Sequence, residues 1–157
     1  MHVLLALLYV SLIAAPECTS LPTKGDSIRS TTHNILNIAK ITLIHIEKLR
    51  TTLPAQQIEV TTPSIEGLTG ISHDLGLLAN ELQSPFTELL SQIQADVSSL
   101  EGRVRFLALT MDCLVQARPR AETGDNVFPH SNLYLTLTKV QRYLENLLLN
   151  NDKLKVC

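Results

Sequence analysis

A chain of 157 residues, nearly half of them hydrophobic, is long enough to bury one real core and too apolar for a disordered segment. Its 13 Lys and Arg against 15 Asp and Glu leave a net charge of -2, with the basic residues scattered. That excludes the basic footprint of a nucleic-acid binder and the polybasic patch of a membrane-surface anchor.

The run from Met1 to Ala15 is apolar but too short to span a bilayer, and no second such run follows. It reads as a secretory signal peptide over residues 1–20, cut after Ser20, with Cys18 and Ser20 as the small residues before the cut. The mature domain is then 21–157. Removal of Cys18 leaves Cys113 and Cys157 as an even pair in an oxidising compartment, and the expectation is a disulfide between them.

Asp26 or Ser27 is the expected cap of a first helix ending near Arg50. Its inward positions read Ile28, Thr32, Ile35, Ala39, Thr42, Ile46 and Leu49, in steps of four and three. Leu36, Ile38, Leu43 and Ile44 widen the stripe, so this helix is expected to touch two neighbours. From Thr51 to Gly70 the pattern dissolves into Thr, Pro, Gln and Gly, a long connection. A short second helix follows from about Ile71, with Leu75, Leu78 and Leu82 inward and His73, Asp74, Asn80 and Glu81 on the wet side.

Ser84 and Pro85 supply a cap and a first-turn proline for a third helix over Phe86 to Cys113. Its seam, Phe86, Leu90, Ile93, Val97, Leu100, Val104, Leu107 and Met111, has the period of an amphipathic helix and of no strand. The apolar register also runs through Ser84 and Pro85, which leaves open one kinked helix. Gln116 to His130 forms a second long connection. Ser131 is the expected cap of a fourth helix, with Leu133, Leu137, Val140, Leu144 and Leu147 inward, fraying at Asn150 and Asn151.

Connections in the order long, short, long dictate direction, because a short link joins antiparallel neighbours while a long one can return along a helix. The expected fold is all-α: a four-helix bundle running up, up, down, down, the long-chain cytokine topology, with one C-terminal disulfide. A filled bundle of this kind needs no partner to close its core, so a monomer is expected.

No catalytic motif stands in the chain: G-x-S-x-G, H-E-x-x-H and a glycine-rich phosphate loop are all missing. The histidines stand apart in sequence, and no cofactor or metal is expected. The reading is a binding protein and not an enzyme. Its candidate contact ridge is the outer face of the third helix, where Gln92, Asp96, Ser99 and Arg103 are spaced by four, three and four, beside Asn34 and Asn37 of the first.

The segment ISHDLGLLANELQSPFTELLSQIQADVSSLEGRVRFLALTMDC resembles the second and third helices of the leptin family. Its Gln92, Ile93, Asp96, Val97 and Leu100 follow a Q-I-x-x-D-L-x-x-L-like pattern that ends at Cys113. SNLYLTLTKVQRYLENLLLNNDKLKVC resembles the last leptin helix and lines up without gaps to Cys157. The resemblance implies a secreted, circulating hormone that binds a class I cytokine receptor, the leptin receptor, and acts on feeding and energy balance. It implies one receptor surface on the outer faces of the first and third helices, matched here by Gln92, and another at the start of the fourth, matched by Ser131. Asn132 replaces the neighbouring threonine of the family, and Leu149 stands where mammalian leptins carry an exposed aromatic. Departures of this kind imply weakened binding to a mammalian receptor.

Two alternatives stand beside this reading, one within the same fold and receptor class and one from another class. An interleukin-6-like factor would share the fold but staple its loops elsewhere. A secreted lipid-binding helical protein would carry Lys and Arg flanking its apolar stripes, whereas these polar faces are Ser, Asn, Gln and Thr.

Overall fold

The computed structural model describes residues 21–83, 88–120 and 129–157. The signal-peptide reading and the Ser84–Pro85 start of the third helix lie outside them. Four helices carry the described fold: α1 (Lys24–Arg50), α2 (Leu68–Glu81), α3 (Glu88–Thr110) and α4 (Pro129–Leu149), followed by a 3-10 turn, Asn151–Lys155.

The directions follow from which ends meet. Late α1 meets early α3 through His45 and Asp96, and the start of α1 meets the end of α3 through Lys24 and Asp112. Arg50, the last residue of α1, reaches Tyr134 in the first half of α4. On α2, Ser72 reaches Glu101 of α3, while Asp74 and Glu81 meet Tyr143 and Lys139 of α4 in reversed order. So α1 and α2 run one way and α3 and α4 the other, the expected up-up-down-down bundle. α2 and α3 are antiparallel, which removes the kinked-helix alternative. α1 packs on α3 and α4, and α2 packs on the same two from the opposite corner.

The seams read from sequence form the core. Ile35, Ala39, Thr42 and Ile46 of α1, Ile71 and Leu75 of α2, and the α3 seam from Leu90 to Leu107 are essentially sealed from solvent. Ile28 and Thr32, in the first turns of α1, are only half-buried. Ile44, expected to widen the buried stripe, is 64% exposed. Only Leu36, Ile38 and Leu43 of that group pack against the core.

Four boundaries differ from the sequence reading, three of them helix starts and the fourth the end of α3, at Thr110 and not at Cys113. The cap of α1 is Thr23, not Asp26 or Ser27: its Oγ1 accepts from the Asp26 amide at 3.3 Å and donates to the Asp26 carboxylate at 2.8 Å. α2 begins at Leu68, three residues before Ile71, and Gly70 sits inside its first turn. Ser131 is not the cap of α4, whose first residue is Pro129, the position where a missing N–H costs nothing.

The early start of α2 has a cause remote in sequence. Gly67 offers no side-chain cap. The Leu68 amide instead donates to the Val156 carbonyl at 2.9 Å, and the Thr69 amide to a backbone oxygen of Cys157 at 3.3 Å. The far end of the chain thus caps its second helix, a contact that only tertiary folding supplies. A Cβ on Gly67 would stand 2.6 Å from that Cys157 oxygen, so the close approach requires glycine.

The C-terminal segment is held by the predicted disulfide, Cys113–Cys157, with Cα atoms 5.4 Å apart, and by Leu154, which is fully buried. Cys113 lies just beyond α3, not at its last turn. Asp112, in the left-handed region at φ 61°, turns the chain, and the Cys113 and Asp112 amides bond back to the Ala108 and Leu109 carbonyls.

The connection 51–67 runs along α4, where Arg142 and Asn146 donate to the Val60 and Pro63 carbonyls. The start of the second connection lies over α2 and α3. There Asn80 donates to the Pro119 carbonyl and Arg105 to that of Gln116, and the Pro119 ring seats on Gly76.

Beneath this strand is Glu101, 3% exposed, which carries no signal in the sequence pattern. Arg105 Nε donates to its Oε1 at 2.6 Å, and Arg118 donates to its Oε2 at 3.0 Å. Ser72 completes the set.

The α2 residues assigned to the wet side are mostly engaged. Asn80 holds Pro119, Glu81 pairs with Lys139, and Asp74 is half-buried and accepts from the Tyr143 hydroxyl at 3.0 Å. Burial raises the Asp74 carboxyl above its usual range, and the Tyr143 hydrogen bond and nearby His73 only partly oppose it. A raised folded-state value gives a contribution that is fully present below 3.8 and lost as pH rises through the folded value. Asp74→Asn keeps an acceptor for Tyr143 and removes the titration. The stability difference between Asn and Asp proteins is therefore expected to move in favour of Asn as pH rises through the weakly acid range, then level off. Denaturant titrations of both proteins across that range measure it.

Candidate functional site

Of the ridge anticipated on α3, three members are exposed and one, Asp96, is largely covered. Gln92, Ser99 and Arg103 face solvent, and Asp96, between Gln92 and Ser99 on the same stripe, turns toward α1. The helical seam explains the placement, since Ile93, Val97, Leu100 and Val104 anchor the opposite face with no exposure at all.

From α1, His45 meets Asp96, its Nδ1 2.7 Å from the Asp96 Oδ2. The other carboxylate oxygen accepts from the Gln92 amide at 2.8 Å. One turn before His45, on the same side of the helix, Ile41 is 49% exposed, and Ile44 lies next to it. Asn34 is exposed farther along this face and Asn37 is half-buried. The result is a surface spanning two helices, with two isoleucines for an apolar centre and amide, hydroxyl and guanidinium groups around it. Apolar anchors inside a polar rim are the usual anatomy of a protein-binding patch.

The polar half of this surface is legible in the sequence, and the apolar half is not. Ile41 carries no signal of its own there, and Ile44 reads as core. What could have found them is the width of the stripe: apolar residues at 41, 43, 44 and 46 cover more of the helix than two neighbours can bury.

Ser131 and Asn132 fall in the first turn of α4, at the opposite end of the molecule from the disulfide, and their side chains lie outside the described residues. α3 and α4 stand diagonally across the bundle, so this turn and Gln92 belong to different faces. Near the same end, Arg50 stacks 4.9 Å over the Tyr134 ring, donates to its hydroxyl at 2.7 Å, and bonds Gln141. This junction is one wall of an open cleft of about 850 Å³ between the first connection and α4, lined among others by Gln56, Ile58 and Arg142. Leu149 stands at its edge, 83% exposed.

Among the described residues no three His, Cys, Asp or Glu side chains converge as metal ligands, and no helix is long and apolar enough to cross a membrane. The surface has hydrogen-bonding and packing groups but no nucleophile beside a base. What it can do chemically is bind.

No protein-family model matches the chain. Among curated proteins it is similar to Leptin-B of the medaka, Oryzias latipes, with 54% identity over 158 aligned residues covering all of both chains. The four-helix bundle and the disulfide agree with that match. Identity of this extent along the whole length, on a bundle with this topology, shows that the chain belongs to the leptin family, whose members are hormones of the cytokine type and not enzymes.

Proposed function

We propose that this protein is a secreted hormone that binds the extracellular part of a class I cytokine receptor, the leptin receptor, and by bringing receptor chains together regulates feeding and energy balance. The observation that carries this reading is the full-length identity to medaka Leptin-B. The Cys113–Cys157 bridge adds support, since such bridges persist in the oxidising conditions outside cells. In this reading residues 1–20 are removed as a signal peptide, the mature domain 21–157 acts as a monomer, and it neither enters a membrane nor binds nucleic acid.

The α1/α3 surface is the first receptor contact, with Gln92, Ser99 and Arg103 around Ile41 and Ile44. The start of α4, at Ser131 and Asn132, is a second. Binding of the mature protein to the immobilised leptin receptor ectodomain of its own source species tests both. An Ile41→Ser, Ile44→Ser double variant is expected to lose at least about tenfold in affinity, because truncating central apolar anchors costs more than about 1.4 kcal/mol. Its thermal stability should hold, since both side chains are solvent-facing in the free protein. Arg103→Ala and Ser131→Ala report on the rim and on the second surface. Unchanged affinity in all of them would remove these surfaces, and absence of binding by the wild-type protein would remove the receptor.

A further inference from the structure

We infer that Asp96 is a positioning residue that fixes the hydrogen-bonding polarity of the α1/α3 surface, so that it presents acceptors to a partner that supplies donors. The inference rests on the receptor-binding reading above and says what chemistry the receptor must bring to this face.

The Asp96 side chain is only 14% exposed, and His45 is 28% exposed, so the carboxylate lies under the surface formed by its neighbours. A carboxylate accepts and does not donate. Each oxygen has its own partner: His45 Nδ1 at 2.7 Å on Oδ2, and Gln92 Nε2 at 2.8 Å on Oδ1. Two consequences follow from hydrogen-bond chemistry alone.

The Gln92 amide must turn its nitrogen inward, which leaves its carbonyl oxygen for solvent or a partner. The neutral His45 ring must carry its hydrogen on Nδ1, which leaves the Nε2 lone pair as a second acceptor. Without Asp96 a glutamine and a histidine at these positions could each present either a donor or an acceptor. With it, the Gln92 oxygen and, while the ring is neutral, the His45 Nε2 lone pair are turned outward before the partner arrives, and less ordering is needed on binding.

The bond also crosses from α3 to α1, so it fixes the two halves of the surface relative to one another. The receptor face that fits carries N–H or O–H donors, such as arginine, lysine, tyrosine hydroxyl or free backbone amides, opposite Gln92 and His45. Apolar contacts would meet Ile41 and Ile44.

The test combines a readout on the free hormone with binding to the leptin receptor ectodomain of its own source species. Nitrogen-15 spectra of the imidazole at mildly alkaline pH are expected to show the Nδ1–H tautomer for His45 in the wild type and its loss in Asp96→Ala. Asp96→Asn keeps the shape and one acceptor but adds a donor, so it can turn the Gln92 amide or the His45 tautomer around. It is expected to weaken receptor binding about tenfold, the effect of one misdirected charge-assisted hydrogen bond, with the thermal midpoint nearly unchanged.

In a double-mutant cycle, Asp96→Asn is expected to cost much less in a Gln92→Ala, His45→Ala background than alone, because the groups it positions are gone. Equal costs in both backgrounds, full affinity of Asp96→Asn, or an Nε2–H tautomer in the wild type would each overturn the inference while leaving the receptor-binding reading in place. A wild-type protein that does not bind the receptor would overturn that reading, and with it the receptor polarity proposed here. The tautomer would still report whether Asp96 orders His45.

Discussion

Breaking the Cys113–Cys157 bridge, by reduction or as the Cys113→Ser, Cys157→Ser pair, is expected to lower the unfolding free energy by about 4 kcal/mol. The chain-entropy relation gives this figure for a closed loop of the observed sequence separation, 44. Against a total stability of roughly 5–15 kcal/mol for a single domain, such a loss leaves a marginal protein.

The structure adds a local prediction that the entropy argument lacks. The backbone of residues 156 and 157 caps α2, and the bridge is what ties that backbone in place. In the reduced protein the Leu68 and Thr69 amides are therefore expected to exchange hydrogen faster than amides at the centre of α3, well before global unfolding. Gly67→Ala separates the two effects. It retains the bridge but pushes a methyl group into the Cys157 backbone, and is expected to cost about 2 kcal/mol and to expose the same two amides. Equal exchange along α2 and α3 in both proteins would show that the cap contributes nothing. Chemical denaturation read by circular dichroism, with hydrogen exchange by mass spectrometry, makes both measurements.

The second large effect is expected at Glu101. Replacing it by alanine strips the carboxylate from Arg105 and Arg118, together with the link from α3 to the strand over α2. Breaking a buried pair typically costs about 3–5 kcal/mol. Here the Arg118 side chain is 65% exposed and regains water when released, so about 2–3 kcal/mol is the expected loss.

Glu101→Gln keeps the shape and an acceptor and should cost less, which distinguishes lost charge from lost packing. The strand itself offers a second readout. Trypsin cannot readily cut before Pro119, but Arg120 is followed by alanine and is a site for it. Cleavage there is expected to accelerate in Glu101→Ala as the Asn80, Arg105 and Arg118 anchors loosen together. Unchanged proteolysis with lowered stability would mean that Glu101 supports the bundle and not the strand.

The α3 seam shows why so much of the fold is legible in advance. Leu90, Ile93, Val97, Leu100, Val104 and Leu107 repeat with the helical period, and a residue kept apolar at each recurrence can have only a buried face. The cysteine pair is legible for a different reason: once Cys18 is read as part of a leader, Cys113 and Cys157 remain as an even pair, for which a disulfide is the expected outcome. On the candidate surface, Gln92, Ser99 and Arg103 are readable as the face opposite that seam.

Ile44 and Glu101 are not, because each reverses the usual relation between polarity and burial. Whether an isoleucine at the edge of a stripe is covered depends on how closely the next helix approaches. A glutamate beside a seam can be buried only if arginines arrive from both its own helix and a distant loop. Asp74 and Asn80 illustrate the same point, as polar residues on an apparently wet side that a crossing strand and a buried tyrosine claim.

The helices, their inward faces, their directions and the pairing of the cysteines are therefore properties of the linear chain, since they follow from periodicity, connection length and oxidation chemistry. Where α2 begins, which isoleucines remain outside, how Glu101 is neutralised and which way Gln92 and His45 face are settled only by folding. Those outcomes depend on groups that meet only after the helices have packed: a carbonyl from the far end of the chain, an arginine from a crossover, and a carboxylate shared between two helices.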